Sequence, residues 1–372
     1  MSKNRQNQDE FGPIRKIIWP VYKNEAKSIS IKFLLYFTLC LCYSILRNVK
    51  DAVLLTSSSS GGEIIPFIKF WGILPGAFLI TWIYTKISNH FSRKNVFYII
   101  VSSFLIYFLL FAFVLYPNHK SLHFYSLAET LSANLPRGFN GLILMIKNWT
   151  FSSFYILSEL WASLILSVLL WGIINDLCEI SQAKRVYGLL NIGSNLAPIV
   201  GGILSTYIVQ EISIGSSLSS DPWGASLIKL ILTICSLGVT AMLLFHFLTV
   251  CDHKRWQEIN HRPSGAVKKK KLSLLESIKY ISKSKYLSSI AIIVLAYNCC
   301  INFTDTLWKS QLNLYFRNQP EKMLTHMNGV TIGIGIFATI GAISFSSLIS
   351  RYGWKITALV TPIIMGTTSL FF

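Results

Sequence analysis

Residues 96–116 read VFYIIVSSFLIYFLLFAFVLY, and no side chain in this run is charged. Arg93 and Lys94 stand just before it, so basic residues flank the run without interrupting it. About 20 apolar residues in an α-helix cross roughly 30 Å of hydrocarbon. The stretch therefore predicts one membrane-spanning helix.

The same pattern recurs along the chain. Of its 372 residues, 52% are hydrophobic and 13% are charged, and the mean hydropathy is +0.51. Such a composition has too few polar side chains to cover a surface in water. We predict an all-α polytopic membrane protein with nine spans, near 33–56, 64–84, 96–116, 149–172, 188–209, 226–250, 287–307, 328–350 and 354–372.

The basic residues predict how these spans are oriented. Lysine and arginine gather in cytoplasmic loops, and here they are frequent in 1–32, near 93, near 184 and in 251–286. This pattern places the N-terminus in the cytoplasm, with six spans before residue 251. The start of the chain has no short apolar core of a signal peptide. Topology thus explains the net charge of +18, and we expect no nucleic-acid partner.

The order of the segments predicts two bundles. We expect a cytosolic tail at 1–32, a six-helix bundle at 33–250, a basic cytosolic linker at 251–286 and the start of a second bundle at 287–372. Two helical halves packed around a central site are typical of secondary transporters. Because the chain stops inside an apolar run, we expect the C-terminal part of a longer carrier to be missing.

Three charged residues of the first span lie on one helix face. Arg47, Lys50 and Asp51 occupy positions i, i+3 and i+4, and an ionisable side chain inside a membrane costs about 2.5–3.5 kcal/mol. They can line one shared pocket. In the alternative interpretation, Arg47 and Asp51 neutralise each other while Lys50 extends to the membrane surface.

Four charged residues of later spans are further candidates for the substrate-binding site. Lys69 has no acid within one helical turn, so we expect it to face an interior cavity. Glu159 either pairs with a buried cation or carries a proton. Asp305 and Lys309 are four residues apart in the order that favours a local ion pair, so a purely structural role stays open for both.

The buried charges of the first half are mostly cationic, and this favours an anionic substrate. Phosphates suit both the guanidinium of arginine and the ammonium of lysine. No G-x-x-x-x-G-K-[ST], H-E-x-x-H or G-x-S-x-G motif occurs, and the seven cysteines lack the spacing of a zinc site. We therefore expect no catalytic residue, metal or cofactor. An integral membrane enzyme or a non-transporting sensor is the alternative of another class.

Several stretches show a resemblance to a known family. They are ILRNVKD at 45–51, EIIPFIKFW at 63–71, YTKISN at 84–89, SELW at 158–161, AKRVYGL at 183–189, INFTD at 301–305, and Trp308 with Lys309. With these motifs in order, the chain resembles the nucleotide transporter family of ATP/ADP translocases, found in obligate intracellular bacteria and plastids.

The resemblance implies a carrier of twelve helices of the major-facilitator type, of which about nine are present here. It implies exchange of ATP for ADP as substrates, in the inner membrane of an intracellular bacterium. It also maps the family's substrate-critical charges onto Lys69 and Glu159, and the family's acidic residue in the seventh helix onto Asp305. A monomer is compatible with this plan.

Two departures from the family keep an alternative open. The position of Asn48 is often acidic in the exchangers, and Asp305 is usually glutamate there. Proton-coupled import of nucleoside triphosphates, or import of NAD, is therefore the alternative function. In both cases Lys69, Arg47 and Lys50 are the candidates for binding phosphate, and Glu159 and Asp305 balance their charge in the empty carrier.

Overall fold

The computed structural model describes residues 21–57, 62–178, 180–215, 221–253, 255–257, 282–317 and 319–370. Eight helices in this part of the chain are long and apolar enough to cross a membrane. Backbone N–H and C=O groups in hydrocarbon must be satisfied within the chain, and a helix does so along its whole length. The eight are α1 Ala26–Thr56, α2 Ile64–His90, α3 Arg93–Leu115, α4 Trp149–Leu177, α5 Arg185–Ile212, α6 Pro222–Cys251, α7 Lys285–Tyr315 and α8 Pro320–Ala342.

Eight of the nine predicted spans correspond to these helices. The ninth, 354–372, follows a break in the helix Pro320–Ser369 at Gly353, where φ is 76° and ψ is 165°. A positive φ of this kind favours glycine because it has no Cβ. The helical residues after Gly353 end at Ser369 and are fewer than the roughly 20 that a span needs, so this segment is not among the eight. Residues 371–372 lie outside the described part.

The predicted borders shift where helices begin earlier than the apolar runs. Helix α1 begins at Ala26 and not at residue 33, so the end of the predicted tail belongs to the first span. Residues 1–20 lie outside the described part of the chain, as does most of the predicted linker 251–286. The division into two bundles therefore stays a prediction.

Helix α1 lies at the centre of the described structure. It packs against α4, α5, α6 and α8, and Leu39, Leu46 and Val53 on it are completely buried. Helix α5 also packs closely against α8. Helix α1 therefore contacts both the first six spans and the spans that follow the linker.

Ion pairs connect the predicted cytoplasmic ends of the first six spans. Lys32 Nζ lies 2.9 Å from a carboxylate oxygen of Asp252, which joins α1 to the end of α6. Arg185 Nη1 lies 2.6 Å from Glu25 Oε1 and joins α5 to the residue before α1. Together with the packing around α1, these contacts hold α1, α5 and α6 together at this end.

Two π-helical segments lie where the candidate charges are found. Residues Ile68–Ile73 of α2 form one and include Lys69. Residues Trp161–Leu170 of α4 form the other and begin two residues after Glu159. A π-helical turn contains an extra residue, changes the direction of the following side chains and often occurs at functional sites.

Candidate functional site

Lys50 is fully buried and binds two carboxylates. Its Nζ lies 3.1 Å from Asp51 Oδ1 and 2.9 Å from Glu159 Oε1, which joins α1 to α4. It also lies 3.9 Å from the centre of the Tyr155 ring, an arrangement that stabilises a cation. The other carboxylate oxygen of Glu159 accepts a hydrogen bond from the Tyr43 hydroxyl at 3.3 Å.

Asp51 also binds a lysine of α7. Its Oδ2 lies 2.9 Å from Lys309 Nζ, and both side chains are almost completely buried. The same Nζ lies 3.0 Å from Asp305 Oδ2, one turn earlier on α7. Lys309 therefore bridges a carboxylate of the first six spans and a carboxylate of α7.

Lys69 approaches α7 from α2. Its Nζ lies 3.2 Å from Asp305 Oδ2 and 2.9 Å from Asn302 Oδ1. About 29% of the Lys69 side chain and 24% of the Asp305 side chain are exposed, whereas Lys50 and Asp51 are each 1% exposed. This pair is therefore the more accessible end of the arrangement.

The six charged side chains form one continuous series in which the sign of the charge alternates. We call it the charge chain, and its members in order are Glu159, Lys50, Asp51, Lys309, Asp305 and Lys69. Three lysines and three carboxylates give a net charge of zero. The charge chain connects α4, α1, α7 and α2, so it crosses between the two groups of spans.

The structure contradicts the predicted neutralisation of Arg47 by Asp51, and it adds further partners to the predicted Asp305–Lys309 pair. Arg47 and Asp51 do not neutralise each other: Arg47 is exposed, no described carboxylate forms an ion pair with it, and Asp51 binds lysines instead. Lys50 does not extend to the membrane surface, because Glu159 and Asp51 bind it in the interior. The local Asp305–Lys309 pair is present, but both partners also bind residues of other helices.

A cavity of about 360 Å³ adjoins the charge chain between α1, α7 and α8. This volume lies within the range of small-molecule sites. Asp51, Asp305 and Lys309 contribute to its wall together with Arg47, which has no ion-pair partner among the described residues. The other lining residues are Asn48, Ile301, Thr304, Trp308, Met327, Val330, Thr331, Ile334 and Met365.

Next to the cavity lies a cluster of uncharged polar side chains that the sequence did not predict. Asn48 Nδ2 donates to Asn328 Oδ1 at 2.9 Å and to Thr331 Oγ1 at 3.0 Å. Asn328 Nδ2 donates in turn to Ser205 Oγ at 3.0 Å and to Thr206 Oγ1 at 3.2 Å. These buried bonds connect α1 and α5 to α8. Single amides in apolar helices are too common for sequence alone to identify this cluster.

Asn302 was not predicted as a site residue, although its spacing from Asp305 in the sequence indicated such a role. It precedes Asp305 by three residues, so both lie on one face of α7. An amide on the same helix face as an acid can contact the cation that the acid binds. Here that cation is Lys69.

This arrangement can exchange one set of anions for another. Lysine ammonium groups bind carboxylates and phosphates by the same charge-assisted hydrogen bonds. Removing one partner of a buried pair leaves an uncompensated charge, so an arriving phosphate must replace the carboxylate that leaves. Among the described residues no group of His, Cys, Asp and Glu side chains is placed to hold a metal ion.

Comparison with known proteins identifies related sequences over almost the whole chain. The family model TLC ATP/ADP transporter matches residues 4–372. ADP,ATP carrier protein 1 of Chlamydia muridarum is 37% identical over 97% of this chain and 68% of its own length. ADP,ATP carrier protein 4 of Rickettsia conorii is 30% identical over 97% of this chain and 70% of its own length.

A plant protein is also similar. The chloroplastic ADP,ATP carrier protein 1 of Arabidopsis thaliana is 32% identical over 91% of this chain and 53% of its own length. No solved structure matches the chain.

Proposed function

The chain belongs to the TLC ATP/ADP transporter family, and from this membership and the charge chain we propose that it exchanges ATP for ADP by alternating access. It is a multi-pass membrane transporter, and ATP and ADP are its substrates and not its cofactors. The proposed location is the inner membrane of an intracellular bacterium, with the N-terminus in the cytoplasm. The basic residues of the predicted cytoplasmic loops support this orientation.

The phosphates are the part of the substrate that the site recognises first. Arg47 faces the cavity without a carboxylate partner among the described residues, so its guanidinium is available to an anion. Lys69 and Lys309 are the next cations that phosphate oxygens reach, because their partner Asp305 is on the cavity wall. Lys50 lies deeper in the protein than Lys69, so it binds phosphate only after the ion pairs of Lys69 and Lys309 have separated.

One observation supports exchange over one-way transport, namely that ion pairs join the first six spans to the spans that follow them. Lys309 binds Asp51, and Lys69 binds Asp305, across the interface between them. Separating Lys309 from Asp51 without a replacement anion would take from each of these buried charges one of its two ion-pair partners, which costs free energy. A nucleotide supplies the replacement anion, so we expect the loaded carrier to change conformation and the empty one to stay closed.

Uptake of labelled ATP into cells that express the protein tests this proposal. Cells preloaded with ADP should take up ATP several-fold faster than cells depleted of adenine nucleotides, and a protonophore should leave the initial rate unchanged. Uptake that needs no internal nucleotide and follows the proton gradient would instead establish proton-coupled import. If no nucleotide moves under any condition, transport itself is contradicted.

A substitution at Glu159 provides a second test that distinguishes exchange from proton-coupled import. Under exchange, Glu159→Gln weakens the hold on Lys50 and changes the rate by a similar factor at all pH values between 6 and 8. Under proton coupling, the same substitution removes the dependence of uptake on the proton gradient. Initial rates at several external pH values distinguish the two outcomes.

A further inference from the structure

One face of α7 lines the cavity. Ile301, Thr304, Asp305 and Trp308 occupy positions i, i+3, i+4 and i+7 and all belong to the cavity wall. This face therefore presents an acid and a large aromatic ring to the same space, one turn apart.

The cavity wall combines two kinds of surface. Arg47, Lys309 and the two aspartates provide charge, whereas a second set of lining side chains is apolar. The apolar set consists of Ile301, Trp308, Met327, Val330, Ile334 and Met365. A ligand that matches both surfaces has an anionic part and a flat apolar part, and a nucleotide has this composition.

Trp308 is the aromatic residue of this wall, and it also packs against the hydrophobic core. It is half-buried. Among the described residues no other ring stacks on it and no group accepts a hydrogen bond from its indole N–H. Trp161 is different, because it is completely buried and packs edge-on against Phe104 at 5.7 Å. An indole that core packing holds in place at the wall of a cavity is a suitable platform for a base.

Two methionines add apolar side chains to the same cavity wall. Met327 belongs to α8, and Met365 belongs to the helical segment that follows Gly353. Thioether groups are polarisable, and they adapt to aromatic ligands of different shape. The cavity therefore offers adaptable apolar contacts on helices other than the one that holds Trp308.

We propose that Trp308, with Met327 and Met365, forms the nucleobase subsite of this carrier, and that the base stacks on the indole while the phosphates bind Arg47 and the charge chain. The inference rests on the proposed function. Stacking is tolerant of base identity because every base has a π-face. The subsite thus recognises the presence of a base more strongly than it distinguishes adenine from guanine.

Equilibrium binding of two ligands to the purified protein tests the subsite. ATP has a base and inorganic tripolyphosphate has none, so the pair separates base recognition from phosphate recognition. Trp308→Ala should weaken ATP binding by about 5-fold to about 150-fold, the range expected for loss of one base stack. It should weaken GTP binding by a similar factor and leave the affinity for tripolyphosphate within about twofold. Titration calorimetry measures all three.

Two further variants serve as controls. Trp308→Phe keeps an aromatic face and should retain ATP affinity within about fivefold of the wild type. Trp82→Ala removes an exposed tryptophan of α2 that does not line the cavity, and it should bind both ligands normally.

Three results would contradict the subsite. Unchanged ATP affinity in Trp308→Ala is one, and equal weakening of ATP and tripolyphosphate is another, since it would indicate damage to the phosphate site or to the fold. Wild-type protein that binds tripolyphosphate no less tightly than ATP is the third. Wild-type protein that binds neither ligand would contradict the proposed function together with the subsite.

Discussion

Each lysine of the charge chain has two oxygen-bearing partners. Lys50 and Lys309 each bind two carboxylates, and Lys69 binds one carboxylate and the Asn302 amide. The sequence identified all three lysines, because a charge in an apolar span is easy to recognise. It predicted the local Asp305–Lys309 pair but none of the specific pairs between helices. Lys69 and Asp305 are separated by 236 residues, and only the packing of α2 against α7 brings them together.

Lys69 provides the most direct test at this scale. Lys69→Ala removes one charge-assisted contact to phosphate and should weaken ATP binding by about 10-fold to about 100-fold. Asp305 keeps Lys309 as a partner, so the variant should still insert and fold. Lys69→Arg should restore part of the affinity.

The matched control for Lys69 is Lys229→Ala, which removes a lysine from an exposed pair with Glu211. Calorimetric titration of the purified variants with ATP measures the effect. Wild-type affinity in Lys69→Ala, or an equal loss in Lys229→Ala, would exclude a specific role for Lys69.

His123, which lies in the connection between α3 and α4, should make the protein sensitive to acid. Burial, together with nearby His119 and Lys147, lowers the pKa of His123 to about 4, and its Nε2 lies 2.7 Å from Thr150 Oγ1. In the unfolded chain the pKa is about 6.5. The unfolded state therefore binds more protons between these values, and stability should fall as the pH decreases from about 6.5 towards about 4.

Thermal unfolding of the purified protein at pH 7.5, 5.5 and 4.5 measures this loss of stability. His123→Asn should flatten the dependence of Tm on pH, whereas His90→Asn, at the exposed end of α2, should not. If the wild-type Tm is the same at pH 7.5 and 4.5, the burial of His123 has no energetic consequence.

At the scale of the helices, hydropathy correctly predicted which segments form membrane-spanning helices, but it did not predict the local geometry within them. Eight apolar runs correspond to eight helices, because length and apolarity are properties of the sequence itself. The π-helical segments at Ile68–Ile73 and Trp161–Leu170 were not predicted. Their hydrogen-bond pattern depends on how neighbouring helices pack. The break at Gly353 has a local cause, yet glycines are too frequent in these spans to indicate which one adopts a positive φ.

The contact of α5 with α8 depends on a missing side chain at Gly202. A Cβ atom there would lie 2.6 Å from Ile332 Cγ1 and 3.1 Å from the Asn328 carbonyl oxygen. Small residues allow membrane helices to approach closely. Gly202→Ala should therefore separate the helices, strain the hydrogen bonds of Asn328 and destabilise the protein by about 1–3 kcal/mol.

Gly188→Ala is the control for this prediction, since a Cβ atom at Gly188, earlier in α5, would meet nothing within 4 Å. Thermal unfolding of both variants in detergent gives the comparison. If Gly202→Ala unfolds at the same temperature as Gly188→Ala, close packing of α5 against α8 is not needed for stability.

At the scale of the whole molecule, the bridges between the two groups of spans lie towards one side of the membrane. The charge chain and the Asn48–Asn328 bond occur near the end of α1 that leads into α2. Gly62 adds a close contact there, because a Cβ atom on it would lie 2.9 Å from Ser310 Cβ. In the proposed orientation, with the basic loops in the cytoplasm, this side is external. Alternating access then requires these contacts to open in each cycle.

A crosslink on this side should stop exchange. In the double variant Gly62→Cys and Ser310→Cys the two Cβ atoms start 2.9 Å apart, so a slight separation gives the Cβ–Cβ distance of about 3.5–4.5 Å that a disulfide needs. External oxidant should reduce ATP/ADP exchange by more than about tenfold, and a reductant should restore it. Each single variant should be unaffected by the oxidant, which controls for the seven native cysteines. Full activity of the crosslinked double variant would show that this side does not open during transport.

Under the proposed function, the alternation of charge along the charge chain also selects which ions can pass. A monovalent ion such as chloride replaces only one carboxylate, so the other ion pairs continue to hold the interface closed. A tri- or tetravalent ion engages several lysines at once and removes more of the attraction between the two groups of spans. Ion valence, in addition to size, thus becomes a criterion for permeation. A bacterium with such a carrier can admit large polyanions without losing its gradients of small ions.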